Sequence, residues 1–520
     1  MTLDFDFIYN ADNDIFEYLL RFYAKNYNYI LSKEENTYHV SIDADEENLK
    51  TFCDSLNFMS HSVFLKKFDV KAGQGFNPCI PEDKEFSRFS YITHLNSNAY
   101  QEKKLLNKNE WGVFCECEFS SNLSEIEKIN EENFNTFLNL AFDLLSQEKK
   151  IYLKDKNGIY EFSLFKNEFI GDFLLPCDIK AINSVFVCSN ENLKLLASLE
   201  KPLMKLRLNA MFRKNHNLDF SDFKIRLARD LFCFALGLKL FENEYKFLSV
   251  KKIEEYQKDF YISALDEQVV VLEGFEFINA KARELIFSKE DKNMARISYL
   301  VSRCKEKAFI LELSKDDEDI LLINKELNLL KLCLPKHSKE LNLLKLCLPK
   351  HSKELYEEIQ KDEIGARLLE NFAKEFPLLN ESFELKNNFY SLLCLVGRVL
   401  NLDENLHKAG EKLLKIADES KMPRGVKIDY RLKEDKSFDY TRTLRSTMSF
   451  MLAGVDSANI AYGAVESLAY FLRDTYDDLR EKKQSEMALI SGSLFEHKAL
   501  LRNTLKHLKN CQLSDVPLRI

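Results

Sequence analysis

Along the first seventy residues the apolar positions recur first every second residue, then at helical spacing, and then alternate again. Leu3–Tyr9 reads as a strand, Asp12–Tyr27 as a helix with Ile15, Leu19 and Phe22 on one face, and Tyr29–Leu31 and Thr37–Ile42 as strands. Glu46–Leu56 reads as a helix and Ser62–Val70 as a strand. This βαββαβ order predicts a small split βαβ sandwich. Farther on, a helix over Asn133–Gln147 leads into the strand Lys150–Lys154 and the turn Asp155-Lys-Asn-Gly158. Strands are predicted at Gln268–Leu272, Ala308–Leu313 and Ile320–Ile323, with a helix over Asn279–Phe287. Beyond residue 352 the pattern is mainly helical until the apolar run Met487–Ile490 meets Ser491-Gly492-Ser493. Leu494, Leu501, Leu505 and Leu508 then recur at helical spacing, so the end of the chain reads as buried strand, tight glycine turn and a helix over Leu494–Leu508. The predicted class is α/β, with α+β modules at the N-terminal end.

At 520 residues the chain has room for roughly three or four separate cores. Residues 325–338 are repeated letter for letter at 339–352. Two perfect copies do not make a solenoid, so a duplication of coding DNA is the plain explanation. Each copy offers an apolar run (Leu327–Leu334, Leu341–Leu348), a proline that ends it, and Ser338 or Ser352 placed to cap a following helix. One copy is expected to fill a core slot and the other to be extruded. His337 and His351, like Cys333 and Cys347, are paired by copying and form no metal constellation.

The formal net charge of −9 excludes a global attraction to nucleic acid or to an anionic membrane. Charged residues interrupt every apolar run short of the roughly 18 residues needed to span a bilayer. The opening Met1-Thr-Leu-Asp-Phe-Asp-Phe is acidic where a signal peptide is basic, so a cytoplasmic protein is expected. Several of the twelve cysteines sit in apolar settings, as inert core thiols do. Glycine, with 14 residues, is under half its usual share of about 7%, which limits the number of phosphate loops.

Three groups of residues are candidates for chemistry. The turn Ser491-Gly492-Ser493 points backbone N–H groups and a helix N-terminus at a potential phosphate, although such turns also serve ordinary packing. Lys154, Lys201 and Lys205, with Arg207, are candidate triphosphate ligands or else solvated flanks of core strands. Cys79, Cys115, Cys117 and His94 offer four zinc-type ligands, but Cys115 and Cys117 stand one residue too close for a CxxC knuckle. Trp111, the single tryptophan, is expected in a small core of residues 76–119.

Taken in order, these segments resemble HypF, the carbamoyltransferase family of nickel-iron hydrogenase maturation. Residues 1–75 resemble its acylphosphatase-like domain, 76–119 its zinc-finger segment, 120–262 its YrdC-like domain, which forms a carbamoyl-adenylate, and 263–520 its two-lobed sheet-and-helix C-terminal domain. Asp155–Gly158 is similar to the family's "KG.GG.HL" turn. Asn192–Arg207 resembles "LL.S..RPIVLL", with a lysine in the arginine position. The match is nearly continuous over 385–520: Asn388–Leu402 with Asp403–Ala417 resembles "SS.GRLFDAVAALLGL…YEG.AAM.LE.LA", Asp439–Ala461 resembles the helix pair before the glycine turn, and Glu486–Leu501 resembles "SGG…N…LL". The resemblance implies ATP and magnesium as cofactors, and as partners other hydrogenase maturation proteins or the hydrogenase large-subunit precursor.

The departures from the family are chemical. The loop Asn10-Ala-Asp-Asn-Asp14 has no arginine and two acids where the family binds an acyl phosphate. Residues 353–382 contain no histidine to match "HHHAH", the "YEG" acid falls on Ala409, the loop asparagine falls on His497, and the "DGG" acid has no counterpart in Val516–Ile520. Bound zinc or iron is not expected. His497 is expected to be a solvated histidine on a helix surface. These features predict a hydrogenase maturation factor with eroded catalytic sites. A working ATP-dependent carbamoyltransferase for cyanide-ligand synthesis is the alternative. A YrdC-like RNA modification factor is a weaker one, because the chain has no basic, aromatic-rich stripe.

Overall fold

Phe5, Phe7 and Tyr9, two apart on strand Thr2–Tyr9, are all buried, as period-two patterning demands of a sheet with one covered face. In the computed structural model the described residues are all but 12, 77–83, 267, 279, 289, 304–306, 324–345, 436 and 515–520. They form two units, Met1–Ile262 with Gly274–Ala280, and Ser263–Glu273 with Lys281–Ile520.

The first unit opens with an antiparallel sheet in the order Asn28–Glu34, Thr37–Asp43, Thr2–Tyr9, Leu65–Ala72. Helices Ile15–Ala24 and Glu46–Asn57 cover it through Phe16, Leu19 and Phe52. The first helix is shorter than predicted at its start because buried Asn13 is drawn into other bonds: its side chain accepts from Tyr9 Oη (2.9 Å) and Ile15 N (3.2 Å) and donates to Phe277 O (2.9 Å). The last strand begins at Leu65 and not Ser62, because Ser62 Oγ and Val63 N both donate to the buried Glu200 carboxylate. Trp111 packs differently from expectation, stacking on Tyr18 of the first helix (4.5 Å between centroids) as well as meeting Phe89 at a tilt (5.1 Å).

A larger mixed sheet follows in the same unit, in the order Leu203–Leu208, Asp222–Ile225, Phe173–Pro176, Phe247–Glu255, Gly158–Leu164, Ile151–Asp155, Glu118–Ser120 and Glu127–Lys128. Tyr261 and Ile262 lie parallel to Leu203 and Met204 at its first edge. Helix Leu231–Glu242 is apolar on nearly every side, and Phe232 meets Phe134 of helix Phe134–Ser146 edge-on at 5.5 Å. An all-round apolar helix is a buried one.

In the second unit four strands are ordered Ile320–Ile323, Ala308–Glu312, Met487–Ser491, Cys511–Leu513. The central two run parallel, with Phe309 opposite Ala488 and Leu311 opposite Ile490. Both are continuous apolar runs, as strands covered on both faces are. Helices Phe389–Val399, Leu406–Glu419, Tyr440–Leu452, Ser457–Glu481 and Lys498–His507 surround this core. The first two touch through Gly397 and Gly410, where an added Cβ would lie 2.4 Å from Ala409 O and 2.3 Å from Cys394 Sγ. The helix predicted over Leu494–Leu508 is broken in two, a 3₁₀ turn Ser493–Glu496 and the helix proper from Lys498, because His497 is extended.

Of the duplicated sequence, the first copy and residues 339–345 lie outside the described residues, and with them the expectation of one extruded copy. The end of the second copy leads into helix Ser352–Ile359, but the cap is His351, whose Nδ1 accepts from Lys353 N (3.0 Å). Ser352 Oγ instead accepts from Glu381 N (3.1 Å). Among the described residues no helix is long and apolar enough to cross a membrane.

Candidate functional site

The glycine turn of the second unit is locked against its own core. Gly492 has φ +111°, and a Cβ there would lie 2.1 Å from Leu313 O. Leu313 N donates to Ser491 O (3.0 Å), Leu494 N to Leu313 O (3.0 Å), Phe495 N to Gly492 O (3.2 Å) and His497 N to Leu494 O (3.2 Å). Ser493 Oγ accepts from Lys315 N (2.9 Å). The N–H groups of Leu494, Phe495 and His497, which follow the turn, are thus already engaged by protein carbonyls.

His497 is buried, not solvated, and its Nδ1 lies 3.1 Å from Asp418 Oδ2 while Nε2 has no hydrogen-bond partner and sits 4.0 Å from Glu411 Oε2. Asp418 Oδ1 accepts from Ala499 N (2.6 Å), which ties this histidine to the helix start. Lys315 Nζ bridges Glu411 (2.7 Å) and Glu496 (3.7 Å) above the Tyr390 ring. Burial pushes the Glu411 carboxyl up, but Lys315 and His497 outweigh that and hold it below the usual range. Three carboxylates against one lysine make this face a poor seat for an anion. The motifs in the sequence point only to Ala409 and His497 at this place; Glu411, Asp418, Glu496 and Lys315 carry no motif that would mark them.

The three candidate lysines are not brought together. Lys154 Nζ pairs with Glu118 (2.8 Å) and Lys205 Nζ with Asp222 (3.1 Å). Their strands are five spacings apart in the sheet, about 24 Å at 4.8 Å each. Lys201 is buried, and its Nζ donates to Ala197 O (3.0 Å) and Ser198 O (2.7 Å). Burial lowers its pKa to about 8 against the opposing pull of Glu200. It lies on a larger, mainly apolar cavity of about 480 Å³ with Phe58, His94 and Cys177.

The strongest preorganised charge lies beside the turn Asp155–Gly158. Buried Asp259 receives Arg226 Nη1 (2.7 Å), Arg229 Nη2 (3.0 Å), Lys252 Nζ (2.8 Å), Tyr160 Oη (2.9 Å) and Asn157 Nδ2 (3.1 Å). Burial alone would raise its carboxyl, but the three cations outweigh burial and hold it well below the usual range. Arg229 also reaches Asp155 Oδ2 (2.9 Å) and Tyr91 Oη (2.9 Å). Lys156 pairs with Glu276 over the Tyr91 ring. Arg229, Lys156 and Lys128 line a polar cavity of about 270 Å³ together with Glu116, Glu118 and Asp155, so both signs of charge meet there. Cys117 and Asp230 form another part of its wall. His94 is not with the cysteines, because it stacks on Phe58 and bonds Asn98 (2.8 Å); Cys79 lies outside the described residues.

A mixed α/β multidomain chain, with a small split sandwich, a larger mixed sheet and a helix-clad parallel core, has the fold of HypF. Full-length HypF in a phosphate- and nucleotide-bound form superposes with a TM-score of 0.55 at 11% identity, covering 99% of this chain and 96% of that one. HypF of T. kodakarensis gives 0.56 at 12% identity over the same shares. In sequence, the protein HydE of Wolinella succinogenes is 26% identical over 418 residues, which is 74% of this chain and 73% of that protein. No family model matches the chain.

Proposed function

We propose that this protein is a nickel-iron hydrogenase maturation factor on the HypF fold, acting in the cytoplasm with eroded catalytic sites. The observation that carries this reading is the extent of the likeness, which runs over 99% of the chain. On this reading residues 1–75 are acylphosphatase-like, 76–119 a degenerate zinc-finger-like segment, 120–262 YrdC-like and 263–520 carbamoyltransferase-like. Erosion is supported by the closed glycine turn and its acidic surroundings, and by Asn13, whose side chain is spent on Tyr9, Ile15 and Phe277 in the loop where an acyl phosphate would sit. The partners are other maturation proteins or the hydrogenase large-subunit precursor. A clean deletion strain is expected to lose nickel-iron hydrogenase activity and to regain it from a plasmid copy. Normal activity in the deletion strain would overturn the reading and favour RNA modification.

A second reading, an active ATP-dependent carbamoyltransferase, is favoured by Arg229, Lys156 and Lys128 on the polar cavity beside Asp155–Gly158. Calorimetry with ATP and magnesium, followed by carbamoyl-phosphate-dependent pyrophosphate exchange, separates the two. Exchange above background would refute erosion while leaving the maturation role intact.

A further inference from the structure

Cys115 and Cys117 are both buried, with Sγ atoms 3.6 Å apart, and each thiol lies against the same carboxylate oxygen: Asp230 Oδ1 is 3.1 Å from Cys115 Sγ and 3.2 Å from Cys117 Sγ. Among the described residues this trio is the one group of three or more Cys, His, Asp or Glu side chains whose donor atoms converge within 4.8 Å. A tetrahedral zinc with Zn–S bonds of about 2.3 Å sets two sulfurs about 3.8 Å apart and an oxygen about 3.5 Å from each. The trio therefore needs shifts of only a few tenths of an ångström to close on an ion.

We infer that Cys115, Cys117 and Asp230 bind a divalent metal of borderline softness, zinc above all, as a three-ligand site with one open position. The donor set selects zinc over magnesium or calcium, because thiolates suit the softer ion. Asp230 is held in place without the metal: as N-cap of helix Leu231–Glu242 its Oδ1 accepts from Phe232 N (2.8 Å), and its Oδ2 accepts from Glu116 N (3.1 Å). Such backbone bonds to a ligand fix its orientation before the ion arrives. Cys117 and Asp230 line the polar cavity that holds Arg229 and Lys156 beside Glu116, Glu118 and Asp155, so the fourth position faces that space and is open to water. Three protein ligands plus an open position is the arrangement of exchangeable or catalytic zinc, not of a closed structural finger. It differs from the four-ligand segment weighed in the sequence, since one ligand comes from 113 positions away.

Binding exchanges protons: two thiols become thiolates on one ion, the carboxylate is already ionised, and two protons leave for each metal bound. The test uses the full reduced chain titrated with cobalt(II) and zinc. The expected result is a thiolate-to-cobalt charge-transfer band that saturates at one ion per chain and is displaced by zinc. Cys117→Ser is expected to abolish the band, and Asp230→Asn, which keeps a capping acceptor, to weaken zinc binding by about 10-fold to 100-fold. Because a cysteine variant can misfold, the native chain is also alkylated with and without zinc and read by mass spectrometry. Zinc should slow labelling of Cys115 and Cys117 relative to exposed Cys347. Absence of a thiolate band in the native chain, a band that survives Cys117→Ser, or alkylation indifferent to zinc would each overturn the inference.

Discussion

The glycine turn at 491–493 and the arginine cluster around Asp259 exchange the roles that their sequences suggest. The turn carries the letters of a phosphate loop, yet the N–H groups that follow it, on Leu494, Phe495 and His497, are used on Leu313, Gly492 and Leu494, and its neighbours are acids. The cluster carries no loop signature, yet it converges three cations and two tyrosines, of which Arg229 and Tyr91 reach the wall of a cavity. A glycine is informative only through what approaches it. At Gly492 that is a carbonyl of the next strand, so the residue serves packing.

The sharpest way to break this comparison is to remove Asp259. Asp259→Ala leaves Arg226 buried without its carboxylate, which costs about 3–5 kcal/mol, while Arg229 keeps Asp155 and Lys252 keeps Glu255. Urea unfolding of the variant should show the first unit melting early, and a loss under about 1 kcal/mol would mean that water already solvates the cluster. The pH dependence has a definite sign. Asp259 is held below its ordinary 3.8, so its contribution is fully present above that pH and is lost as pH falls through the lower folded value. Asp259→Asn should therefore flatten the acid limb of the stability curve below about pH 4 relative to the native chain.

The turn supplies the next largest effect. Gly492→Ala places a methyl against Leu313 O in a backbone conformation that L residues rarely adopt, at a cost of about 2–3 kcal/mol. Thermal melting should record it in the second unit. If Gly492→Ala is neutral in stability but weakens phosphate binding, the turn is a ligand site after all and the contrast with the cluster collapses.

How much of this was legible in the sequence depends on range. Strand Thr2–Tyr9, helix Phe134–Ser146 and the buried strand Met487–Ser491 follow from local periodicity, because burial of one face writes itself into nearby residues. The break at His497 and the late start of the strand at Leu65 were not readable, since Asp418 and Glu200 act from 79 and 137 or more positions away. The same holds for chemistry. Lys154, Lys201 and Lys205 stand in two short motif-like segments and the fold disperses them, whereas Arg229 meets Asp155 across 74 positions and Asp259 across 30, and no spacing rule links them. Cys115 and Cys117 looked one residue short of a knuckle because Asp230 was out of view.

Lys201 tests the comparison from the opposite side, as a buried cation whose ammonium is held by carbonyls. Burial lowers it to about 8, so between that value and its ordinary 10.5 the unfolded chain binds the extra proton and stability rises with pH. The native chain should gain about 2–3 kcal/mol over Lys201→Met across this window. An unchanged stability difference between the two chains in urea titrations at both ends of the window would show that the ammonium is solvated and carries no such strain.

The smallest expected effect comes from deleting residues 339–352. Because the copies are identical, removing either yields the same chain, and Lys336-His337-Ser338 then stands directly before Lys353. The contacts that matter there are those of the second copy's end: Leu346 is buried, His351 caps helix Ser352–Ile359, and Ser352 Oγ accepts from Glu381 N. All are restored by identical residues from the remaining copy. Neither the turn at 491–493 nor the Asp259 cluster loses a side chain, so the deletion is a control for both. The expected change in stability is under about 1 kcal/mol, with hydrogenase activity retained by a strain carrying the shortened gene. Leu327–Leu334 and Leu341–Leu348 present two leucine runs to what the shortened chain fills with one. Soluble yield is therefore expected to rise on deletion, since an unplaced apolar run promotes association. A loss beyond about 2 kcal/mol, in the range of core damage, would show that both copies are built into the second unit.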